Sequence, residues 1–213
     1  MKYQGIIFDL DGVLCSTDRF HFQAWQQTAR EAKAPFDEAV NQRLRGVSRM
    51  ESLEIILEAS PLTFTPEEKE RMAEEKNERY RRLLRQMTPA DMPNGVREAL
   101  ESLRAAGLKL AVGSSSKNAR FILERLEAGQ YFDAVCDGTQ IARSKPHPEV
   151  FLKAAEMLGL PPAVCLVVED APAGLQAARA AGMDCAGVGG ADWPFAPAYR
   201  LEDVTTLPAV LRG

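Results

Sequence analysis

The feature that most constrains the fold is a series of short apolar runs, each ending in polar residues and separated by helical patterns. Such runs are typical of buried strands, and strands that alternate with helices pair in parallel through right-handed crossovers. Binding sites in parallel sheets lie outside the carboxyl ends of the strands, so the polar tails should meet there. The sequence therefore predicts an α/β, Rossmann-like parallel sheet core from the runs YQGIIF (3–8), LKLAVGS (108–114), YFDAVCD (131–137) and AVCLVVED (163–170).

Four glycines mark predicted helix ends in this part of the chain. Glycine has no Cβ and readily adopts the left-handed conformation that helix C-termini favour. The helical patterns NARFILERLEAG and PEVFLKAAEMLGL both run into such a glycine. We therefore expect left-handed residues just after helices at Gly107, Gly129, Gly159 and Gly182.

A different pattern fills residues 17–87, which read as successive helices without a strand. Ser48 begins a capping box, and Thr65 combines an N-cap with a proline at the first helical position. The long charged helix that follows is predicted to end near Met87, before the next proline. We therefore predict an all-helical cap inserted into a discontinuous α/β catalytic core, with the cap at 16–87 and the core at 1–15 and 88–213.

Composition and charge exclude several classes of protein. The 213 residues are 46% hydrophobic, enough for one core with a smaller inserted domain. A net charge of −4 with scattered Lys and Arg argues against nucleic acid or an anionic membrane surface as a partner. No apolar run approaches the ~20 residues of a spanning helix, and no signal peptide opens the chain. We expect a cytoplasmic protein, monomeric by default.

The four cysteines, Cys15, Cys136, Cys165 and Cys185, lie far apart in the sequence. No CxxC pair or neighbouring histidine suggests zinc or a redox centre. Three of them lie within apolar stretches, so packing as small hydrophobic side chains is favoured over catalysis or metal binding.

Two acids follow the first strand in FDLDGV. Asp9 and Asp11 point to the same side because strand side chains alternate, and Gly12 lets the backbone turn away sharply. Acids placed in this way can divide roles, one attacking as a nucleophile and the other moving a proton. The structural alternative is an Asx turn or a helix cap, which accounts for one aspartate but not for two.

Other strand ends supply a hydroxyl, an ammonium group and two more acids, from Ser114, Lys145 and Glu169-Asp170. Together with Asp9 they suit Mg²⁺ and a phosphate, because hard cations prefer carboxylate oxygens. A carboxylate about 4 Å from a phosphate dianion, at an effective dielectric of ~20, is repelled by roughly 8 kcal/mol. The cation is therefore needed. Taken singly, Lys145 reads equally as a solvated loop lysine and Glu169-Asp170 as a helix N-cap pair.

These motifs together resemble the haloacid dehalogenase superfamily of phosphotransferases. The resemblance rests on FDLDGVL, the serine after LKLAVG, SKPHPEVF and VVEDAPAGLQAARAAG, and it covers essentially the whole chain. It implies that Asp9 is the nucleophile that forms an aspartyl phosphate and that Asp11 is the general acid and base. It also implies a Mg²⁺ site made of Asp9, the Asp11 backbone carbonyl and Asp170, with Glu169 beside it, and Lys145 as a catalytic residue.

A narrower resemblance is to the β-phosphoglucomutase family, through HFQAW, LRGVSRMESL, EEKNERY and SSSKN at matching spacings. That family interconverts β-glucose 1-phosphate and glucose 6-phosphate through β-glucose 1,6-bisphosphate. The resemblance implies that His21 steadies Asp11, that Arg49 and Ser116 to Asn118 bind the second phosphate, and that a sugar phosphate is the partner. The substrate-binding residues implied are Trp25, Gly46, Val47, Arg49, Ser52, Lys76, Ser114, Ser115, Ser116, Lys117 and Asn118.

Several alternatives remain at the level of single residues and of function. Arg49 and Lys76 equally fit solvated helix positions, His21 an exposed histidine, and Trp25 cap packing. The hinge after the first motif also departs from the family pattern. It reads Cys15-Ser16-Thr17, where family members often have Asp-Thr or Asp-Ser. A phosphatase of the same superfamily is the main functional alternative, and a silent phosphosugar-binding protein is the third.

Overall fold

The computed structural model describes residues 2–44, 47–189 and 193–212. The chain divides into two compact units, one formed by Met1–Ser16 with Thr88–Gly213 and the other by Thr17–Met87. We call them the core unit and the helical unit. The predicted assignment of residues 16–87 to a cap domain stays a prediction.

The helical unit is built from four helices in its described residues, and the two helix starts predicted at Ser48 and Thr65 begin the last two of them. The Ser48 and Thr65 side chains accept hydrogen bonds from the backbone N–H groups of the third helical residues, Glu51 and Glu68. The carboxylates of these two glutamates accept the backbone N–H groups of Ser48 and Thr65 in return. Buried side chains such as Trp25 pack the helices together. The helices are α1 (Asp18–Glu31), α2 (Glu38–Gln42), α3 (Arg49–Leu57) and α4 (Pro66–Leu84).

Helix α4 ends at Leu84, so the predicted end near Met87 was wrong by three residues. The N–H groups of Gln86 and Met87 bond to the carbonyls of Leu83 and Leu84, three residues back. This tighter pattern is how a last helical turn satisfies carbonyls that lack an α-helical partner.

Over the described residues, no helix is both long enough and apolar enough to span a membrane.

The core unit is built on a sheet whose strands all run parallel, which confirms the predicted α/β class. Over the described residues the sheet has six strands in the order β3-β2-β1-β4-β5-β6. The strands are β1 (Gly5–Phe8), β2 (Lys109–Gly113), β3 (Ala134–Cys136), β4 (Cys165–Glu169), β5 (Asp184–Val188) and β6 (Tyr199–Leu201).

Helices flank this sheet and close its hydrophobic core. Ile7 and Val167 of the central strands pack with Phe151 and Leu175 from two of the helices, and all four side chains are fully buried. All four cysteines are unpaired and buried, as expected for packing residues. The core helices are α5 (Val96–Ala105), α6 (Ala119–Arg125), α7 (Glu149–Leu158), α8 (Pro172–Ala180) and α9 (Leu207–Val210).

Three of the four predicted left-handed glycines have positive φ, namely Gly107, Gly159 and Gly182. Gly129 does not, and the prediction was wrong there. After α6 the left-handed residue is Glu127, with φ of 50°, and Gly129 begins a short 3₁₀ helix. The N–H of Ala128 bonds back to the helix, so the helix closes before the chain reaches the glycine.

The register of the sheet places the predicted site. Phe8, the last residue of β1, pairs with Val112 of β2 on one side and Val168 of β4 on the other. Asp9 therefore emerges level with the carboxyl ends of both neighbours. Strand order reverses on either side of β1, and ligands in open α/β sheets bind in the crevice at such a reversal.

Candidate active site

A buried lysine joins two carboxylates at the carboxyl end of the sheet. The Lys145 Nζ lies 2.5 Å from Asp9 Oδ1 and 2.6 Å from Glu169 Oε1. Asp9, Lys145 and Glu169 are 8%, 5% and 1% exposed. The bond between Lys145 and Asp9 alone joins residues 136 positions apart in sequence. The expected convergence of these three residues is present in the structure.

Burial and charge act in opposite directions on these residues. Burial alone lowers the pKa of Lys145, but the Asp9 and Glu169 carboxylates outweigh it and raise that pKa well above its ordinary value. The pKa of Asp9 rises to about 7, because burial and the charges of Glu169 and Asp11 outweigh the opposing effect of Lys145. Burial, followed by the neighbouring acids, raises the pKa of Asp170 to about 8. The acids therefore exceed the positive charge available to neutralise them.

Two glycines make room for the acids that close β4. Gly12 has a φ of 89°, and a Cβ added there would overlap the Asp170 carboxylate. A Cβ at Gly174, in the first turn of α8, would overlap the Glu169 carboxylate in the same way. Glu169 also accepts the Ala171 N–H at 2.8 Å through Oε2. Both of its oxygens therefore have protein partners, Lys145 and Ala171.

The acidic group fits a hard cation that also binds phosphate. Among the described residues, no set of three His, Cys, Asp or Glu side chains forms a complete metal cage. Mg²⁺ does not need one, because it is usually held by one or two carboxylates, water and substrate phosphate oxygens. Asp9 and Asp170, whose pKa values are raised by burial and then by neighbouring acids, are suitable donors.

The segment from Ser114 to Asn118 follows β2 and is shaped by its own hydroxyl groups. Ser114 Oγ accepts the Ser116 N–H, and Ser116 Oγ accepts the Asn118 N–H, each at 3.2 Å. Ser114 and Asn118 are buried, Ser115 and Ser116 are half-buried, and Lys117 is exposed. Such turns hold successive backbone donors in a fixed orientation at the end of a strand.

The helical unit contains its own cluster of predicted site residues. Lys76 Nζ lies 2.9 Å from His21 Nδ1 and sits over the rings of Trp25 and Tyr80, at 4.3 and 4.8 Å from their centroids. Burial, then the charges of Lys76 and Arg49, hold the pKa of His21 well below its ordinary range. His21 is therefore neutral. Because an ammonium group only donates, Nδ1 accepts and the ring proton lies on Nε2.

The other predicted residues of the helical unit surround α3. Arg49 is its first residue, and its Nη2 donates to Asn77 Oδ1 of α4 at 3.0 Å. Val47 is half-buried just before the helix, and Ser52 is buried within it. The predicted Gly46 lies outside the described residues.

Sequence reasoning missed residues that act on the backbone of the site. A Cβ added at Gly138 would overlap the Ser115 carbonyl oxygen, and the Gly138 N–H donates to Ser116 O at 3.1 Å. Asp137, buried at the end of β3, accepts the Thr139 N–H at 2.9 Å. The Glu149 carboxylate accepts the N–H groups of Ala142 and Arg143, just before Lys145. Gly138 and Glu149 can be seen in the sequence on either side of Lys145. The backbone groups that they contact could not be predicted from it.

Comparison with known proteins agrees with this arrangement. A family model described as haloacid dehalogenase-like hydrolase matches residues 3–182. The β-phosphoglucomutase of Bacillus subtilis (strain 168) is 43% identical over 188 residues, covering 87% of this chain and 83% of that protein. A phosphorylated carbohydrates phosphatase of Thermotoga maritima is 35% identical over 184 residues, covering 85% of this chain and 82% of that protein.

A solved structure extends the similarity to the fold. The crystal structure of β-phosphoglucomutase from Clostridium difficile matches with a TM-score of 0.90 and 37% sequence identity. The match covers 96% of this chain and 93% of that one. The predicted resemblance is therefore confirmed in sequence and in fold, while the relatives include both a mutase and a phosphatase.

Proposed function

Because this chain belongs to the haloacid dehalogenase-like hydrolase family, we propose that it is a magnesium-dependent phosphomutase that interconverts β-glucose 1-phosphate and glucose 6-phosphate. The observation that carries the mutase assignment is the similarity to the Bacillus subtilis β-phosphoglucomutase along most of both chains. The buried group of Asp9, Lys145 and Glu169 supplies a nucleophile and a cation suited to phosphoryl transfer.

Asp9 is the proposed nucleophile. One of its carboxylate oxygens attacks the phosphorus at C1 of β-glucose 1,6-bisphosphate, the bond from phosphorus to the sugar oxygen breaks, and an aspartyl phosphate forms. Lys145, already 2.5 Å from Asp9, lies where it can neutralise charge on the nucleophile and on the phosphoryl oxygens. Mg²⁺, held by Asp9, Asp170 and the Asp11 backbone carbonyl, would supply further charge neutralisation when bound.

Asp11 moves the proton in both half-reactions. It donates a proton to the leaving sugar oxygen, which releases glucose 6-phosphate. In the other half-reaction it accepts the proton of the C6 hydroxyl of β-glucose 1-phosphate, whose oxygen then takes the phosphoryl group from Asp9. The neutral His21, with its proton on Nε2, is a suitable hydrogen-bond donor for steadying Asp11.

The bisphosphate intermediate requires binding groups for a second phosphate. We assign that role to Arg49 and to the turn from Ser116 to Asn118. Arg49 offers a planar fork for phosphate oxygens, and its bond to Asn77 holds the side chain in a defined direction. We assign the sugar contacts to the remaining predicted residues, which are Trp25, Gly46, Val47, Ser52, Lys76, Ser114 and Ser115.

A sugar-phosphate phosphatase is the second candidate, favoured by the similarity to the Thermotoga maritima phosphatase. In that reaction water takes the phosphoryl group from Asp9, and all of the core residues keep their roles. The two candidates therefore differ in the acceptor and not in the nucleophile.

The test compares the two acceptors directly. Purified protein with Mg²⁺, β-glucose 1-phosphate and a trace of the bisphosphate is assayed in parallel for glucose 6-phosphate and for inorganic phosphate. We expect glucose 6-phosphate to form far faster than phosphate is released, and Asp9→Asn to abolish both reactions. Dominant release of phosphate would refute the mutase proposal and leave the phosphatase.

A further inference from the structure

The residue that carries the catalytic ammonium group lies on an irregular segment. Residues 137–148 connect β3 to α7 and contain no strand or helix among them. Lys145 is nevertheless buried, with its Nζ shared between Asp9 and Glu169. An irregular segment has no regular ladder of backbone hydrogen bonds, so it depends on individual backbone and side-chain contacts to hold it.

Glu149, the first residue of α7, supplies two of these partners. Its Oε1 accepts the Ala142 N–H at 3.1 Å, and its Oε2 accepts the Arg143 N–H at 3.0 Å. Lys153, one turn further along α7, lies 3.1 Å from the same carboxylate and also bonds to the Gln140 carbonyl. The beginning of α7 therefore binds the backbone two and three residues before Lys145.

We propose that Glu149 is a positioning residue for Lys145, fixing the direction from which the ammonium group reaches Asp9 and Glu169. The inference rests on the proposed phosphoryl transfer through Asp9. Glu149 touches none of the reacting groups, and it acts through the backbone of Ala142 and Arg143.

The chemistry of this contact requires a carboxylate. Two consecutive N–H groups point at the side chain, and an ionised carboxylate offers two acceptor oxygens, whereas an amide offers one oxygen and an NH₂ group that only donates. Hydrogen bonds to an ionised acceptor are also the stronger ones. The Ala142 N–H and then Lys153 lower the pKa of Glu149 to about 2, so the carboxylate stays ionised at neutral pH.

Three substitutions separate positioning from charge and from stability. Glu149→Gln keeps the size of the side chain but places a donor against an N–H group. Glu149→Asp keeps both acceptor oxygens on a chain one methylene shorter. Glu156→Gln makes the same charge change at an exposed position of the same helix and is the matched control.

The measurement is the rate of aspartyl-phosphate formation in a rapid-quench experiment with Mg²⁺ and acetyl phosphate as the donor. Near-UV circular dichroism establishes that each variant is folded at the assay temperature. At saturating donor we expect Glu149→Gln to lower the rate constant about 10-fold or more, because small misplacements of catalytic groups have effects of up to about 100-fold. Glu149→Asp should recover most of that loss, and Glu156→Gln should stay within about twofold of the unsubstituted protein.

The outcomes distinguish this inference from the proposed function. If the unsubstituted protein forms no aspartyl phosphate, the proposed function fails. If it does, and folded Glu149→Gln reacts at the same rate, the positioning role is wrong while the proposed function stands. Should Glu149→Gln not fold, Glu149→Ala takes its place, because it removes both acceptor oxygens that bind the Ala142 and Arg143 N–H groups. A rate constant of folded Glu149→Ala equal to that of Glu156→Gln would overturn the inference. A residue that only stabilised the fold would leave the rate constant of folded protein unchanged.

Discussion

Replacing Asp170 by asparagine should stabilise the metal-free protein, and increasingly so as the pH rises. Asp170 lies against Gly12 at the end of β4, in a group whose acids outnumber the nearby lysine. Burial, Glu169, Asp9 and Asp11 all raise its pKa, with only Lys145 opposing them. Asparagine has nearly the same shape and no charge to desolvate.

The magnitude follows from the pKa. That of Asp170 rises from an ordinary 3.8 to about 8 in the folded protein. A carboxyl whose folded pKa lies above its unfolded value gives its full contribution to stability below the unfolded pKa, and that contribution is lost as the pH rises through the folded pKa. A pKa difference of one corresponds to about 1.36 kcal/mol. The free energy of unfolding therefore falls by about 4 kcal/mol at pH 7 and by about 6 kcal/mol well above pH 8. Asp170→Asn does not lose this stability, because asparagine does not ionise.

The assay is urea unfolding of both proteins in EDTA at pH 4, 5, 7 and 8.5. We expect nearly equal free energies of unfolding at pH 4 and a growing advantage for Asp170→Asn above it. Adding Mg²⁺ should reduce or reverse the advantage at pH 8.5, since a metal that binds only the folded state stabilises it. Glu202→Gln, which removes an exposed acid, is the control and should show no such growth.

The reasoning is refuted if the difference between the two proteins stays constant from pH 5 to pH 8.5. A constant difference would mean that Asp170 ionises in the folded protein as it does in water. If Asp170→Asn were less stable in EDTA at pH 8.5, the ionised carboxylate would be a net stabilising group, and the excess of negative charge would be absent.

Two further predictions test the second-phosphate site and the backbone of the core. Arg49→Ala should reduce mutase turnover about 10- to 100-fold, since hydrogen bonds to charged groups contribute about 1.5–3 kcal/mol, while leaving hydrolysis of a small monophosphate nearly unchanged; Arg71→Ala on α4 is the control, and equal losses in both assays would argue against the role. Gly138→Ala should lower the free energy of unfolding by about 1–3 kcal/mol, because its Cβ would overlap the Ser115 carbonyl oxygen. Gly129→Ala, where a Cβ meets nothing within 4 Å, should be nearly neutral, and a similar loss in both variants would contradict the steric explanation.

The fold was predictable because its signals are local. Strands of the core end in polar residues, and helices between them begin or end in recognisable caps, so parallel pairing followed without knowledge of any contact. Element ends were less predictable, because they depend on hydrogen bonds several residues away. Gly129 shows this, since the chain turns at Glu127 with a bond from Ala128 back into the helix.

The candidate site was predictable as a set of residues but not as a set of contacts. Asp9, Lys145 and Glu169 each follow or precede a predicted element, so their convergence followed from the parallel sheet. That Lys145 bonds Glu169 as well as Asp9 depends on side-chain directions on an irregular segment. The role of Glu149 was hidden for the same reason, because an acid at a helix start ordinarily serves its own helix.

The division of Lys145 between two carboxylates bears on the reactivity of Asp9. A lysine dedicated to Asp9 would hold the pKa of that carboxylate low and make it a weak nucleophile. Glu169 takes part of the lysine's charge and adds its own repulsion, so burial and Glu169 together bring the pKa of Asp9 up to about 7 despite Lys145. The carboxylate is thereby more basic than an ordinary aspartate, and a bound cation would keep it ionised. In the proposed mechanism, Glu169, whose two oxygens bind Lys145 and the Ala171 N–H, would therefore raise the basicity of the Asp9 carboxylate.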